Sequence, residues 1–157
     1  MAARGRREAR SLFARAVTLL ARREHSRAEL ASKLRRSLTE ADDPAEVDQV
    51  LDALERDKLL SDERYAGALT RTRSTRFGDA RVRFDLKSAG VDAETVDRAV
   101  ASLKGTEFER ARAIWLRRFG ELPRTAQERG RQARFLQARG FSTETIRKVL
   151  QGLPGDA

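Results

Sequence analysis

The chain has no cysteine and a single histidine. Disulfides and thiolate metal sites are therefore excluded, and a reducing cytoplasm is the expected compartment. With one Met, one Trp, one Tyr and three Pro, it is poor in the residues that mark cofactor pockets and irregular loops. No apolar run approaches the roughly 20 residues of a membrane-spanning helix. Catalytic chemistry is missing too. His25 stands at a helix boundary with no Cys or Ser/Asp set around it, which reads as a turn residue rather than a general base. No Gly-rich phosphate loop follows a strand pattern. Asp62 and Glu63 are neighbours, but adjacent helical residues point about 100° apart and do not share a substrate or metal. They read as dipole-complementing residues of a first helical turn. Neither an enzyme, a cofactor nor a metal site is expected.

What is present is a repeat. An apolar quartet with i, i+3, i+4, i+7 spacing occurs three times: Val47, Val50, Leu51, Leu54; Val96, Ala99, Val100, Leu103; and Ile146, Val149, Leu150, Leu153. That spacing gathers side chains on one face of a helix. Start signals precede each quartet: Asp43 with Pro44, Asp92, and Ser142. Side-chain oxygens of Asp and Ser accept first-turn N–H groups, and Pro has none to leave unsatisfied. The second and third units agree beyond the quartet, Gly90 with Gly140, Val91 with Phe141, Glu94 with Glu144 and Thr95 with Thr145. A period this long suits about three helices per unit.

The expected fold is all-α, three tandem three-helix repeats forming an extended, curved array. The expected divisions are a flexible basic arm over 1–10, repeats over 11–60, 61–106 and 107–157, and a short disordered tail at the end. Within the first repeat a helix runs through Leu12, Phe13, Ala16, Leu19 and Leu20, and Ser26 with Glu29 reads as a capping box for the next. Ser61 reads as the N-cap opening the second. Val82, Phe84 and Leu86 alternate as in a strand, yet the Val82, Leu86, Ala89 spacing and the repeat favour a helix closed by Gly90. In the third, Leu122-Pro123 breaks the leading helix and Thr125 with Glu128 reads as a second capping box.

Charge follows the repeat. The net charge is +9, and Arg far outnumbers Lys. Residues 1–36 carry a balance of +8, 37–60 of −6, 61–90 of +3, 91–109 of −3, and 110–139 of +7. Leading helices are basic and the closing quartet helices are not. Either the leading helices align into a phosphate-neutralising stripe, or they are solvated faces with internal pairs such as Glu29–Lys33. Phe77 and Phe84 lie among these arginines. Phe77 is expected to pack at its turn, and Phe84 is open between base stacking and half-burial between units.

Three stretches resemble a known family. Arg22-Arg23-Glu24-His25-Ser26-Arg27-Ala28-Glu29-Leu30 is like R-R-x-x-S-x-x-E-L. Leu60-Ser61-Asp62-Glu63-Arg64-Tyr65-Ala66 and Arg81-Val82-Arg83-Phe84-Asp85-Leu86-Lys87 are like L-D-D-E-R-Y-A and R-I-R-x-E-L-R. Arg139-Gly140-Phe141-Ser142 with Ile146 is like R-G-F-S-x-x-x-I. In this order they resemble the RecX family, regulators of the bacterial recombinase RecA. Ser61 and Ala89 depart from the family pattern, the latter standing where a basic residue commonly precedes the glycine. The resemblance implies a monomeric, cytoplasmic, non-membrane protein that lies in the groove of a RecA–DNA filament and inhibits ATP hydrolysis, strand exchange and coprotease activity. Its implied partners are RecA and single-stranded DNA, with double-stranded DNA as a further candidate. Candidate contacts are the basic residues Arg71, Arg73, Arg76, Arg81, Arg83 and Lys87 of the second repeat, and Arg117, Arg118, Arg131, Arg134 and Arg139 of the third. The alternatives are a sequence-nonspecific DNA-binding protein using the same residues without RecA, and a general α-repeat adaptor.

Overall fold

A computed structural model describes residues 11–154, and every regular element among them is an α-helix. In chain order these are α1 (Leu12–Arg22), α2 (Arg27–Arg36), α3 (Glu46–Arg56), α4 (Asp62–Ser74), α5 (Asp79–Ser88), α6 (Ala93–Ala101), α7 (Glu107–Arg118), α8 (Ala126–Ala138) and α9 (Thr143–Gln151). The all-α repeat expectation holds, including the helix over Val82–Leu86, where Val82 and Leu86 are buried and Phe84 faces solvent. The basic arm expected over residues 1–10 lies outside the described residues, as do the last three positions of the tail.

The chain forms two compact units. One comprises the described residues up to Tyr65 together with Ala89–Val91; the other comprises Ala66–Ser88 and the described residues from Asp92 onward. In the first unit α1, α2 and α3 pack on one another around Leu12, Ala16, Leu30, Leu34, Val47, Leu51, Leu54 and Leu60. In the second, α5 packs on α6, and α7 and α8 pack on α9 around Ala111, Trp115, Leu136, Phe141, Val149 and Leu150. The quartets supply much of both interiors, because one apolar stripe per helix is what a three-helix module buries.

The caps follow the sequence, with local differences. The hydroxyls of Ser11, Ser26, Ser61, Thr125 and Ser142 and the carboxylate of Asp92 each accept the N–H three residues on. The Thr95 hydroxyl and N–H both donate to Asp92 and hold its carboxyl below the ordinary carboxylate range. Neither capping box closes reciprocally. The Glu29 carboxylate pairs with Arg23 instead, and Glu128 accepts from the N–H of Arg124, one residue before the cap. Helix α3 begins at Glu46, later than Asp43-Pro44 suggests. Asp43 accepts from Ala45 N–H at 2.9 Å, and i→i+3 bonds from Glu46 and Val47 close a tighter lead-in turn. The third quartet loses its last member. Helix α9 ends at Gln151, Gly152 turns the chain at φ +80°, and Leu153 beyond it is 41% exposed.

His25 lies in the link between α1 and α2, at the helix boundary the sequence suggests, and is buried there at 1% exposure. Its Nδ1 lies 3.0 Å from the Arg23 carbonyl and its Nε2 2.9 Å from the Lys33 ammonium. A carbonyl only accepts and an ammonium only donates, so the ring is the neutral tautomer with its proton on Nδ1. Burial pushes its pKa below 6.5, with the Arg23 and Lys33 charges acting in the same direction and the Arg23 carbonyl and Glu29 opposing. The unfolded chain therefore binds the proton more readily than the fold does. Stability of the first unit should be flat above pH 7 and fall as pH drops through 6.5 towards the depressed folded value. The slope is at most about 1.4 kcal/mol per pH unit, one proton's worth. Urea midpoints taken between pH 7.5 and 5.5 should show this fall in the wild type and lose it in His25→Gln.

Candidate functional site

The basic residues of the second unit are organised around two aromatic centres. The first is Phe77, in the turn from α4 to α5. The N–H groups of Arg76 and Phe77 both return to the Arg73 carbonyl, closing α4, and Gly78 N–H donates to the Arg139 carbonyl at 2.8 Å. This seats Phe77 half-buried among three guanidiniums, with Arg81 at 4.7 Å from the ring centroid and Arg73 and Arg139 each at 5.7 Å. Cations over an aromatic face gain from its quadrupole. Arg73 and Arg81 also share Asp85, at 3.5 and 3.0 Å, whose side chain is only 15% exposed.

Arg110 of α7 fixes this turn from below. Its guanidinium donates to the carbonyls of Ser74 at 3.1 Å and Phe77 at 2.8 Å, and pairs with Asp79. Close by, Glu107 accepts from Ser142 N–H at 2.7 Å. Burial holds the Glu107 carboxyl above its ordinary range, the neighbouring Asp79 adding to this while the Ser142 N–H and Arg110 oppose it. No local sequence pattern marks Arg110. An Arg three residues after a Glu is ordinary in a helix, and its partners lie more than thirty residues upstream.

The second centre is the edge-to-face pair of Phe119 and Phe135, 5.3 Å apart. Arg118 lies 5.2 Å from Phe119 and 5.7 Å from Phe135, and Arg139 lies 4.8 Å from Phe135. Beneath them, buried Trp115 donates to Gln132 Oε1 at 2.7 Å, and Gln132 donates on to the Glu121 carbonyl at 3.1 Å. Arg76, Arg117, Arg118 and Arg139 stand around a depression of about 530 Å3 whose apolar lining is Ile114 and Phe135.

The candidate contact residues thus sort by what already engages them. Arg73, Arg81 and Arg83 are ion-paired, Arg83 with Asp97 at 2.6 Å on the surface. Arg139 donates to the Arg76 carbonyl at 3.2 Å and stacks on both aromatic centres. Arg71, Arg76, Lys87, Arg117, Arg131 and Arg134 are exposed and form no ion pair among the described residues. Arg71 and Arg134 fold back one turn over Gly67 and Gly130, where a Cβ would meet their Nη1 at 3.3 and 3.0 Å. Phe77 does pack at its turn, as a platform for arginines. Phe84, 64% exposed, is not half-buried. No cluster of His, Cys, Asp or Glu able to hold a metal occurs among the described residues, and none of their helices is long and apolar enough to cross a membrane.

Comparison with known proteins places this architecture. Residues 61–100 match the family model of the second three-helix domain of RecX, and residues 106–150 match that of the third. The chain belongs to the RecX family. It is 49% identical over 141 residues to the regulatory protein RecX of Leptothrix cholodnii, covering 90% of this chain and 88% of that one. It is 41% identical over 146 residues to the regulatory protein RecX of Ralstonia pickettii, covering 93% and 90%. Among solved structures it resembles that of RecX from Lactobacillus salivarius, with TM-score 0.74, 18% identity, and coverage of 89% and 92%. A crystal structure of a regulatory protein RecX aligns with TM-score 0.77 at 20% identity, over 90% of this chain and 72% of that one. A RecX-type regulatory role follows for the chain.

Proposed function

We propose that this chain regulates RecA by binding the RecA–DNA filament and limiting its ATP hydrolysis, strand exchange and coprotease activity, without catalysing a reaction of its own. The observation that carries this reading is the 49% identity to a RecX protein over nearly all of both chains. The exposed cations of the second unit support it, because a filament of protein on DNA presents recurrent negative charge. Repeats over 11–60, 61–106 and 107–157, each offering contacts, would gain from multivalency along such a filament. The working residues in this reading are the six exposed cations and the arginines stacked at Phe77 and Phe135, acting in the cytoplasm as a monomer.

Titration into RecA–single-stranded DNA filaments while following ATP hydrolysis tests the reading. Inhibition is expected at well below one chain per RecA protomer. Exchanging Arg71, Arg76, Lys87, Arg117, Arg131 and Arg134 together for Glu should raise the required concentration at least about tenfold, since each lost phosphate or carboxylate contact is worth more than 1 kcal/mol. Inhibition only at saturation of free DNA would favour a nonspecific DNA-binding protein instead.

A further inference from the structure

We infer that the depression ringed by Arg76, Arg117, Arg118 and Arg139 is a discrete binding site for closely spaced phosphates, those of a nucleic-acid strand or of a free polyphosphate. The inference deepens the DNA-contacting part of the reading above. Four guanidiniums line one depression of about 530 Å3, and its lining includes no carboxylate. None of the four forms an ion pair among the described residues. Four other arginines of the same unit are neutralised from within, Arg73 and Arg81 by Asp85, Arg83 by Asp97 and Arg110 by Asp79, while the unpaired Arg71, Arg131 and Arg134 do not line this depression. Like charges gathered without a counter-charge destabilise the fold, and a bound anion removes that repulsion.

The shape narrows the chemistry. The volume lies within the ~300–1,000 Å3 of ordinary ligand clefts. Arg118 and Arg139 already stack on Phe135, and Phe119 meets the same ring edge-on, so a base or other aromatic ring does not take that face. Recognition falls to the guanidinium forks, whose planar paired donors match the oxygens of phosphate. Arg139 is pinned by its bond to the Arg76 carbonyl and Arg118 by its stacking, so two cations are preorganised. Arg76 and Arg117 remain exposed to close on a ligand.

The test uses the full chain without RecA, so its failure leaves the filament reading untouched. Binding of a labelled 20-nucleotide oligothymidylate is followed by fluorescence anisotropy from 50 to 200 mM salt. The wild type is compared with Arg76→Gln/Arg117→Gln and with Arg129→Gln/Arg147→Gln, two exposed arginines outside the depression. The first pair should weaken binding about tenfold and make the salt dependence shallower by about 1.4 in log–log slope, two phosphates' worth for a single strand. The second should change neither by more than about twofold. Tripolyphosphate competing with the strand on the wild type, and failing to bind the Arg76/Arg117 variant, would identify a free polyphosphate as the source; no competition identifies the strand. Equal losses in both double variants, no loss in either, or competition by polyglutamate as strong as by tripolyphosphate would overturn the inference. All four arginines are exposed, and unchanged Trp115 fluorescence confirms the fold of each double variant.

Discussion

Gly140→Ala should destabilise the second compact unit by about 3 kcal/mol or more and lower its thermal midpoint by about 10 °C. Gly140 sits at φ +85°, and an added Cβ would lie 2.7 Å from both the Cβ and the backbone nitrogen of Arg81. Across the same contact, a Cβ on Gly78 would enter the carbonyl group of Gly140, so Gly78→Ala should cost a similar amount. At both positions the obstacle includes backbone, which does not swing aside. Gly105→Ala is the comparison. Its φ is +78°, but nothing lies within 4 Å of the added atom, so only the backbone strain of about 1 kcal/mol should appear. Trp115, the single tryptophan, is buried in this unit, and its fluorescence during heating reads the effect directly. Because Arg81 and Arg139 flank this contact and stack on Phe77, the glycine variants should also weaken the inhibition of RecA proposed above.

Arg110→Met should cost about 2–3 kcal/mol, the expected loss when a part-buried cation that hydrogen-bonds two carbonyls and a carboxylate is removed. The side chain is 14% exposed, and its loss strips donors from two carbonyls and the cation from Asp79. Arg110 also opposes the upward shift of the Glu107 carboxyl. Without it, Glu107 takes up a proton in the fold more readily still than in the unfolded chain. The variant should therefore regain stability as pH falls from 7 to 5, the opposite slope to that expected from His25. Urea unfolding at the two pH values, with Asp79→Asn completing a double-mutant cycle, measures both the size and the coupling.

The helices were legible because their signals are local. Ser26, Ser61, Asp92 and Ser142 cap where the sequence places them, and Gly90 and Gly140 take the positive φ a helix stop requires. The misses at helix ends come from local signals that compete with the capping and periodicity patterns. Glu29 leaves its capping box because Arg23 offers a stronger, charged partner. Periodicity alone extends α9 to Leu153, and Gly152 ends it first. For the site, composition gave the sign of the charge but not its neutralisation. Which arginines are already satisfied depends on Asp85, Asp97 and two aromatic centres, brought close by folding.

Helix α2 has a borrowed beginning. Its first N–H, at Arg27, donates to the Asp62 carboxylate at 2.7 Å, and its cap Ser26 donates to the Ala89 carbonyl at 2.6 Å. Both acceptors lie beyond residue 60, where the sequence period closes the first repeat. Repeat and folding unit are therefore out of phase. A fragment cut at residue 60 would leave the buried Ser26 hydroxyl and the start of α2 without their acceptors. A fragment intended to stand alone has to carry the chain through Val91, and exchanging repeats between relatives at the period boundary would separate the start of α2 from both of its acceptors.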